Sequence, residues 1–69
     1  MPRKLKWPDA EDIAIDLHGR FPNVDPLAVR FTDLRAWVCA LPDFGDDPQA
    51  CNEKKLEAIQ MAWVEERQG

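Results

Sequence analysis

Asp43, Asp46, Asp47 and Glu53 fall within one eleven-residue stretch that contains no Lys or Arg. Carboxylate oxygens suit hard and borderline divalent cations, so a metal site is the first chemistry this spacing suggests. The D-x-[DN]-x-[DN]-G order of an EF-hand is missing, and a cation bound here would be held openly, partly hydrated and weakly. The same four residues fit a second role that needs charge but little geometry, electrostatic docking on a basic patch of a partner. A purely structural account, a solvated acidic loop in which Asp47 caps a turn at Pro48, outweighs a dedicated metal site on spacing alone.

Asp9, Asp12 and Asp16 make a second acidic row at helical spacing. General acid–base work needs a desolvated cleft that shifts a pKa, which one helix face of a small domain rarely offers. Asp9 and Asp12 are accounted for as an N-cap and a first-turn acid complementing the helix dipole. Asp16 lies a turn further on and has more room for a partner role.

The remaining chemical groups point away from catalysis. His18 is the sole histidine and no local pattern supplies it with co-ligands, so it reads as an exposed helix-end residue. Cys39 and Cys51 lie 12 positions apart with no CxxC or CxxH pair, no adjacent His and no basic helix start to activate a thiolate. Cys39, between Val38 and Ala40, reads as packing. Cys51 stands just before the last helix, where a Ser would cap better, as an exposed and modifiable thiol. Trp37 and Trp63 fall on apolar stripes and read as core, whereas the place of Trp7 is open.

These groups must be positioned by short elements, because 6 Pro divide the chain. Asp9 opens a helix predicted from Ala10 to Gly19, with Asp12 at N3 of a variant capping box and Ile13 and Leu17 on its apolar stripe. Asp25-Pro26 predicts a single helical turn through Val29. Val29-Arg30-Phe31 is β-prone and could pair with Leu5-Lys6-Trp7 in a minimal two-stranded ribbon. Thr32 reads as the N-cap of a second helix from Asp33 to Leu41, carrying Leu34, Trp37 and Val38. The turn-rich segment from Asp43 to Gln49 has Gly45 available for a positive φ and Phe44 as an inward anchor. Asn52 to about Arg67 is the longest predicted helix, with Leu56, Ile59, Ala62 and Trp63 on one face and Gln68 and Gly69 fraying.

At 69 residues with 45% hydrophobic and 32% charged side chains, the chain reads as one folded domain spanning positions 1–69. That length allows one small core and no cleft between lobes, so function is expected at the surface of a monomer. Arg3, Lys4 and Lys6 form a basic flank over positions 1–6, and from Pro8 onward 13 acids face 6 bases. The body therefore repels phosphate backbones and attracts basic proteins or cations. No apolar run approaches a membrane span and no secretory core is visible, which places the protein in the cytoplasm.

The strings Val29-Arg30-Phe31-Thr32-Asp33-Leu34, Asp46-Asp47-Pro48-Gln49-Ala50 and Leu56-Glu57-Ala58-Ile59 stand in register. Together with Leu5-Lys6-Trp7, Asp9, Asp25-Pro26, Trp37, Asp43-Phe44 and Asn52-Glu53-Lys54, they closely resemble the IscX (YfhJ) family of bacterial iron-sulfur cluster assembly. The resemblance spans nearly the whole chain. It implies a mainly α, small single-domain winged-helix-like (modified helix-turn-helix) fold with at most a minimal two-stranded ribbon. It also implies a non-catalytic adaptor or regulator that docks on the cysteine desulfurase and binds ferrous iron, Fe(II), weakly. Competition with a frataxin-like protein, scaffold or ferredoxin would follow. Carried over by position, partner binding falls to Asp9, Asp12, Asp16, Asp43, Asp46, Asp47 and Glu53, and weak iron binding to Asp43, Asp46, Asp47 and Glu53. Three positions depart from the family pattern. Gly45 and Pro42 stand where acids occur and thin the carboxylates of the loop, and Cys51 replaces a Ser. A winged-helix outline also raises a DNA-binding regulator using Arg30 and Arg35, which the acidic charge disfavours.

Overall fold

A computed structural model describes residues 4–68, so Arg3 of the basic flank and Gly69 of the predicted tail lie outside the described residues. Three α-helices, α1 (Ala10–Arg20), α2 (Phe31–Cys39) and α3 (Glu53–Gln68), are joined through two single 3-10 turns, Pro26–Ala28 and Pro48–Ala50. The fold is mainly α, and among the described residues no helix is long and apolar enough to cross a membrane.

Apolar residues at positions 13, 14 and 17 put one stripe of α1 inward, and it packs chiefly on α3, which buries Leu56, Ile59 and Trp63. Leu34 and Val38 of α2 close the third side, and Leu5, Trp7 and Leu41 complete the core from the connecting segments. An aromatic chain runs across it: Phe21 stacks on Trp37 at 4.8 Å, and Trp37 meets Trp63 edge-on at 6.2 Å. Trp63 is fully buried, whereas Trp37 lies only partly inside. From the middle of α3, Gln60 Nε2 donates to the Pro26 carbonyl at 3.0 Å and ties the first 3-10 turn down.

The proline signals came out as read. Asp25 and Asp47 each accept from the backbone N–H two residues on, Leu27 at 3.0 Å and Gln49 at 2.9 Å, and a Pro at the first position of each turn cannot extend the hydrogen-bonded ladder backward.

Several local expectations are corrected. The ribbon between Leu5-Lys6-Trp7 and Val29-Arg30-Phe31 does not form, because Phe31 already begins α2. Leu5 instead makes an isolated parallel bridge with Phe44, donating to Asp43 O at 2.6 Å and accepting from Gly45 N–H at 2.9 Å. Among the described residues there is no regular strand. The second helix starts and ends two residues earlier than the Thr32 cap implied; Arg30 holds the N-cap position without a side-chain bond. Asp9 also caps without its side chain, which turns back to accept from Lys6 N–H at 3.0 Å. Asn52, not Cys51, caps α3, its Oδ1 accepting from Lys55 N–H at 2.9 Å, and α3 runs on through Gln68. Among the described residues no glycine takes a positive φ. Gly45 is instead a point of close approach, where an added Cβ would lie 2.9 Å from Lys4 Cδ and 3.0 Å from Lys4 Cβ.

Candidate functional site

The parallel bridge lays Leu5 beside the start of the acidic loop, and α1 presents Asp12, Ile15 and Asp16 along one side, since positions three and four apart share a helix face. Leu5, Asp12, Ile15, Asp16 and Asp43 together line a depression of about 350 Å³. Three of the carboxylates expected to contact a partner are thereby gathered round two apolar side chains. Ile15 is 53% exposed and sets a large aliphatic side chain among these carboxylates. It lies off the Ile13 and Leu17 stripe, which in an amphipathic pattern is the only available signal that it serves the outside.

Asp16 is the least satisfied of the acids. Its Oδ1 accepts from Arg20 Nε at 2.9 Å, one helical turn on. Its Oδ2 is shielded from solvent and has no hydrogen-bond partner. A carboxylate oxygen in that state gains from any donor brought to it, because burial has removed the water that would otherwise serve. Asp43 is exposed at the opposite side of the depression, its backbone carbonyl already committed to Leu5.

The other expected contact residues are placed differently. Asp46 accepts from Trp7 N–H at 3.1 Å through Oδ2 and from Asp47 N–H at 2.7 Å through Oδ1. These two backbone donors, Trp7 first, hold its carboxyl below the usual carboxylate range, with Lys6 and Lys55 adding to the effect. Asp47 spends its side chain on the Pro48–Ala50 turn, and its carbonyl accepts from Trp7 Nε1 at 2.7 Å. Trp7, whose place the sequence left open, is fully buried, packs edge-on against Phe44 at 4.8 Å, and is latched by both aspartates. Asp9 is occupied in the turn that precedes α1, and Glu53 lies exposed at the first position of α3.

The donor set does not add up to a ready-made cation cage. Among the described residues no three His, Cys, Asp or Glu side chains converge on a point that could hold a metal ion. Asp46 in particular has both oxygens turned to backbone amides. His18 stands in the last turn of α1 as expected, but it is only partly exposed and its Nδ1 is buried without a hydrogen-bond partner, which corrects the expected exposure.

Over residues 5–68 the chain matches the family model described as iron-sulphur cluster assembly. It is also 60% identical over 63 residues to an uncharacterized protein of Pseudomonas aeruginosa, a match covering 91% of this chain and 96% of that protein. With nearly the whole folded chain matched by the model, a role in iron-sulphur cluster assembly follows, and this protein belongs to the iron-sulphur cluster assembly family.

Proposed function

We propose that this protein is a non-catalytic acidic adaptor or regulator of iron-sulphur cluster assembly that docks on the cysteine desulfurase through the depression formed by α1 and the acidic loop. The observation that carries the reading is the grouping of Asp12, Asp16 and Asp43 around the exposed Ile15, with one Asp16 oxygen shielded and unpartnered. Such a surface suits a Lys or Arg whose head group meets the carboxylates while its aliphatic stem lies on Ile15 and Leu5. The charge of the body, 13 acids against 6 bases from Pro8 onward, supplies the longer-range attraction. In this reading ferrous iron is cargo or signal, drawn as a hydrated ion to the negative field and weakly held. A winged-helix-like packing belongs to the same proposal, its wing reduced to the Leu5–Phe44 bridge.

The test is an anaerobic 15N NMR titration with the cognate desulfurase, and separately with Fe(II), each at low and high salt. Desulfurase-induced shifts at Asp12, Ile15, Asp16 and Asp43 that weaken with salt support docking. Binding elsewhere, or binding insensitive to salt, overturns the electrostatic site. Coincident iron-induced shifts favour the adaptor over a pure regulator.

A further inference from the structure

We propose that the segment from Lys4 to Trp7 is a strap that sets one wall of the docking depression, and that Trp7, which does not line it, is the positioning residue for Leu5 and Asp43, which do. The inference rests on the docking reading, since the shape of the depression matters to affinity only if a partner enters it.

The depression has two walls of different make. Asp12, Ile15 and Asp16 ride on α1, which is packed along α3, so they move only with the helical core. Leu5 and Asp43 lie outside the helices and are joined by the isolated bridge, in which Leu5 N–H donates to Asp43 O at 2.6 Å and Gly45 N–H to Leu5 O at 2.9 Å. A pairing that short does not hold its own register in water. Its support lies two residues on, at Trp7. The Trp7 N–H donates to Asp46 Oδ2 at 3.1 Å, its Nε1 to the Asp47 carbonyl at 2.7 Å, and its ring meets Phe44 edge-on. Because the indole is fully buried in the core, these contacts anchor strap and loop together to the three helices. A further tie fixes the strap against the start of α1. Lys6 N–H donates to Asp9 Oδ2 at 3.0 Å, and Asp9 N–H donates back to the Lys6 carbonyl at 2.9 Å. Helix, strap and loop thus close a frame around the depression.

A frame of this kind adds affinity by pre-organisation. With Trp7 held, Leu5 and Asp43 already stand across from Ile15 and Asp16 when a basic side chain arrives. With Trp7 loosened, the two walls move independently and docking must order one of them, which weakens binding without removing a charge. The long-range attraction, and with it the salt dependence, stays as it was. That separates the strap from the carboxylates themselves, whose removal changes both.

Three charge-neutral variants test the strap. Trp7→Phe keeps an aromatic ring but loses the Nε1 donor to Asp47. Gly45→Ala perturbs the strap from its other end, where an added Cβ would lie 2.9 Å from Lys4 Cδ. Trp63→Phe is the matched control, an equally buried indole whose Nε1 has no hydrogen-bond partner. Desulfurase affinity is measured calorimetrically at two salt concentrations, at a temperature where melting curves show each variant folded, and amide shifts of the wild type are recorded alongside. Trp7→Phe and Gly45→Ala should bind about tenfold more weakly than wild type at both salt concentrations, with an unchanged salt slope, while Trp63→Phe binds as wild type does. Should Trp7→Phe not fold, Gly45→Ala carries the comparison. Wild-type affinity in either folded strap variant, or an equal loss in Trp63→Phe, overturns the role of the strap and leaves docking intact. Absence of desulfurase-induced shifts at Ile15, Asp16 and Asp43 of the wild type overturns the docking reading itself, and the strap with it.

Discussion

The Trp7 indole donates from Nε1 to the Asp47 carbonyl at 2.7 Å, across 40 positions of chain, while the buried Trp63 indole has no partner for its own Nε1. Two fully buried tryptophans thus differ in one bond. Trp7→Phe loses a satisfied hydrogen bond as well as volume, whereas Trp63→Phe loses volume but also removes an unsatisfied donor. Trp7→Phe is expected to cost about 1–2 kcal/mol more than Trp63→Phe, measured by urea unfolding at neutral pH.

Asp46 gives the fold a pH dependence of definite sign. Its carboxylate is favoured in the folded state by the Trp7 and Asp47 amides, so its folded pKa lies below its unfolded one. The stabilisation is complete above the ordinary carboxylate range and disappears as pH falls through the lowered folded value. Asp46→Asn offers one acceptor where two donors converge, and should unfold more easily than wild type at pH 7. The gap should narrow on acidification below about pH 4. Parallel acid-unfolding curves of wild type and variant would show that Asp46 does not carry this term.

The same bonds separate docking from folding in charge-reversal experiments. Asp43→Lys changes an exposed side chain and should leave stability within about 0.5 kcal/mol while weakening desulfurase binding. Asp46→Lys should lower the melting temperature as well, since it breaks the latch on Trp7. Measuring binding and melting for both variants decides the matter. If both lose binding equally with no change in melting, the loop acts as an undivided field of charge.

Gly45 is kept small by Lys4. Gly45→Ala places a Cβ at 2.9 and 3.0 Å from Lys4 side-chain carbons, one of them Cβ itself, which cannot swing away as the end of the side chain can. A loss of about 1 kcal/mol is expected. Lys4→Gly should relieve most of it in a double-mutant cycle read by chemical denaturation. A coupling near zero would mean the backbone yields without cost.

Apolar periodicity made the three helices legible, because Ile13 and Leu17, Leu34 and Val38, and Leu56, Ile59 and Trp63 repeat at helical spacing and each stripe proved to be buried. The proline turns were equally plain, since Asp25 and Asp47 do their capping within two residues of themselves. What escaped was every relation of long range. Asp46 looks in sequence like one more surface acid, and its bond to Trp7 N–H spans 39 positions. Val29-Arg30-Phe31 has strand composition, yet the core needed Leu34 and Val38 facing inward on one helix, and tertiary packing overrode local propensity. Of the candidate site, the charge was visible and its division was not: Asp12, Asp16 and Asp43 converge, whereas Asp46 and Asp47 serve the fold.

The packing of α1 chiefly on α3 bears on how the chain acquires its structure during synthesis. Ile13 and Leu17 emerge from the ribosome long before Ile59 and Trp63, their counterparts in the core, so nothing durable can assemble while the nascent chain is still being extended through α3. α1 has 11 residues, too few to hold as an isolated helix in water. Folding of this protein therefore waits until α3 has been made, and a nascent chain stalled before Ile59 would expose its apolar stripes to chaperones and proteases.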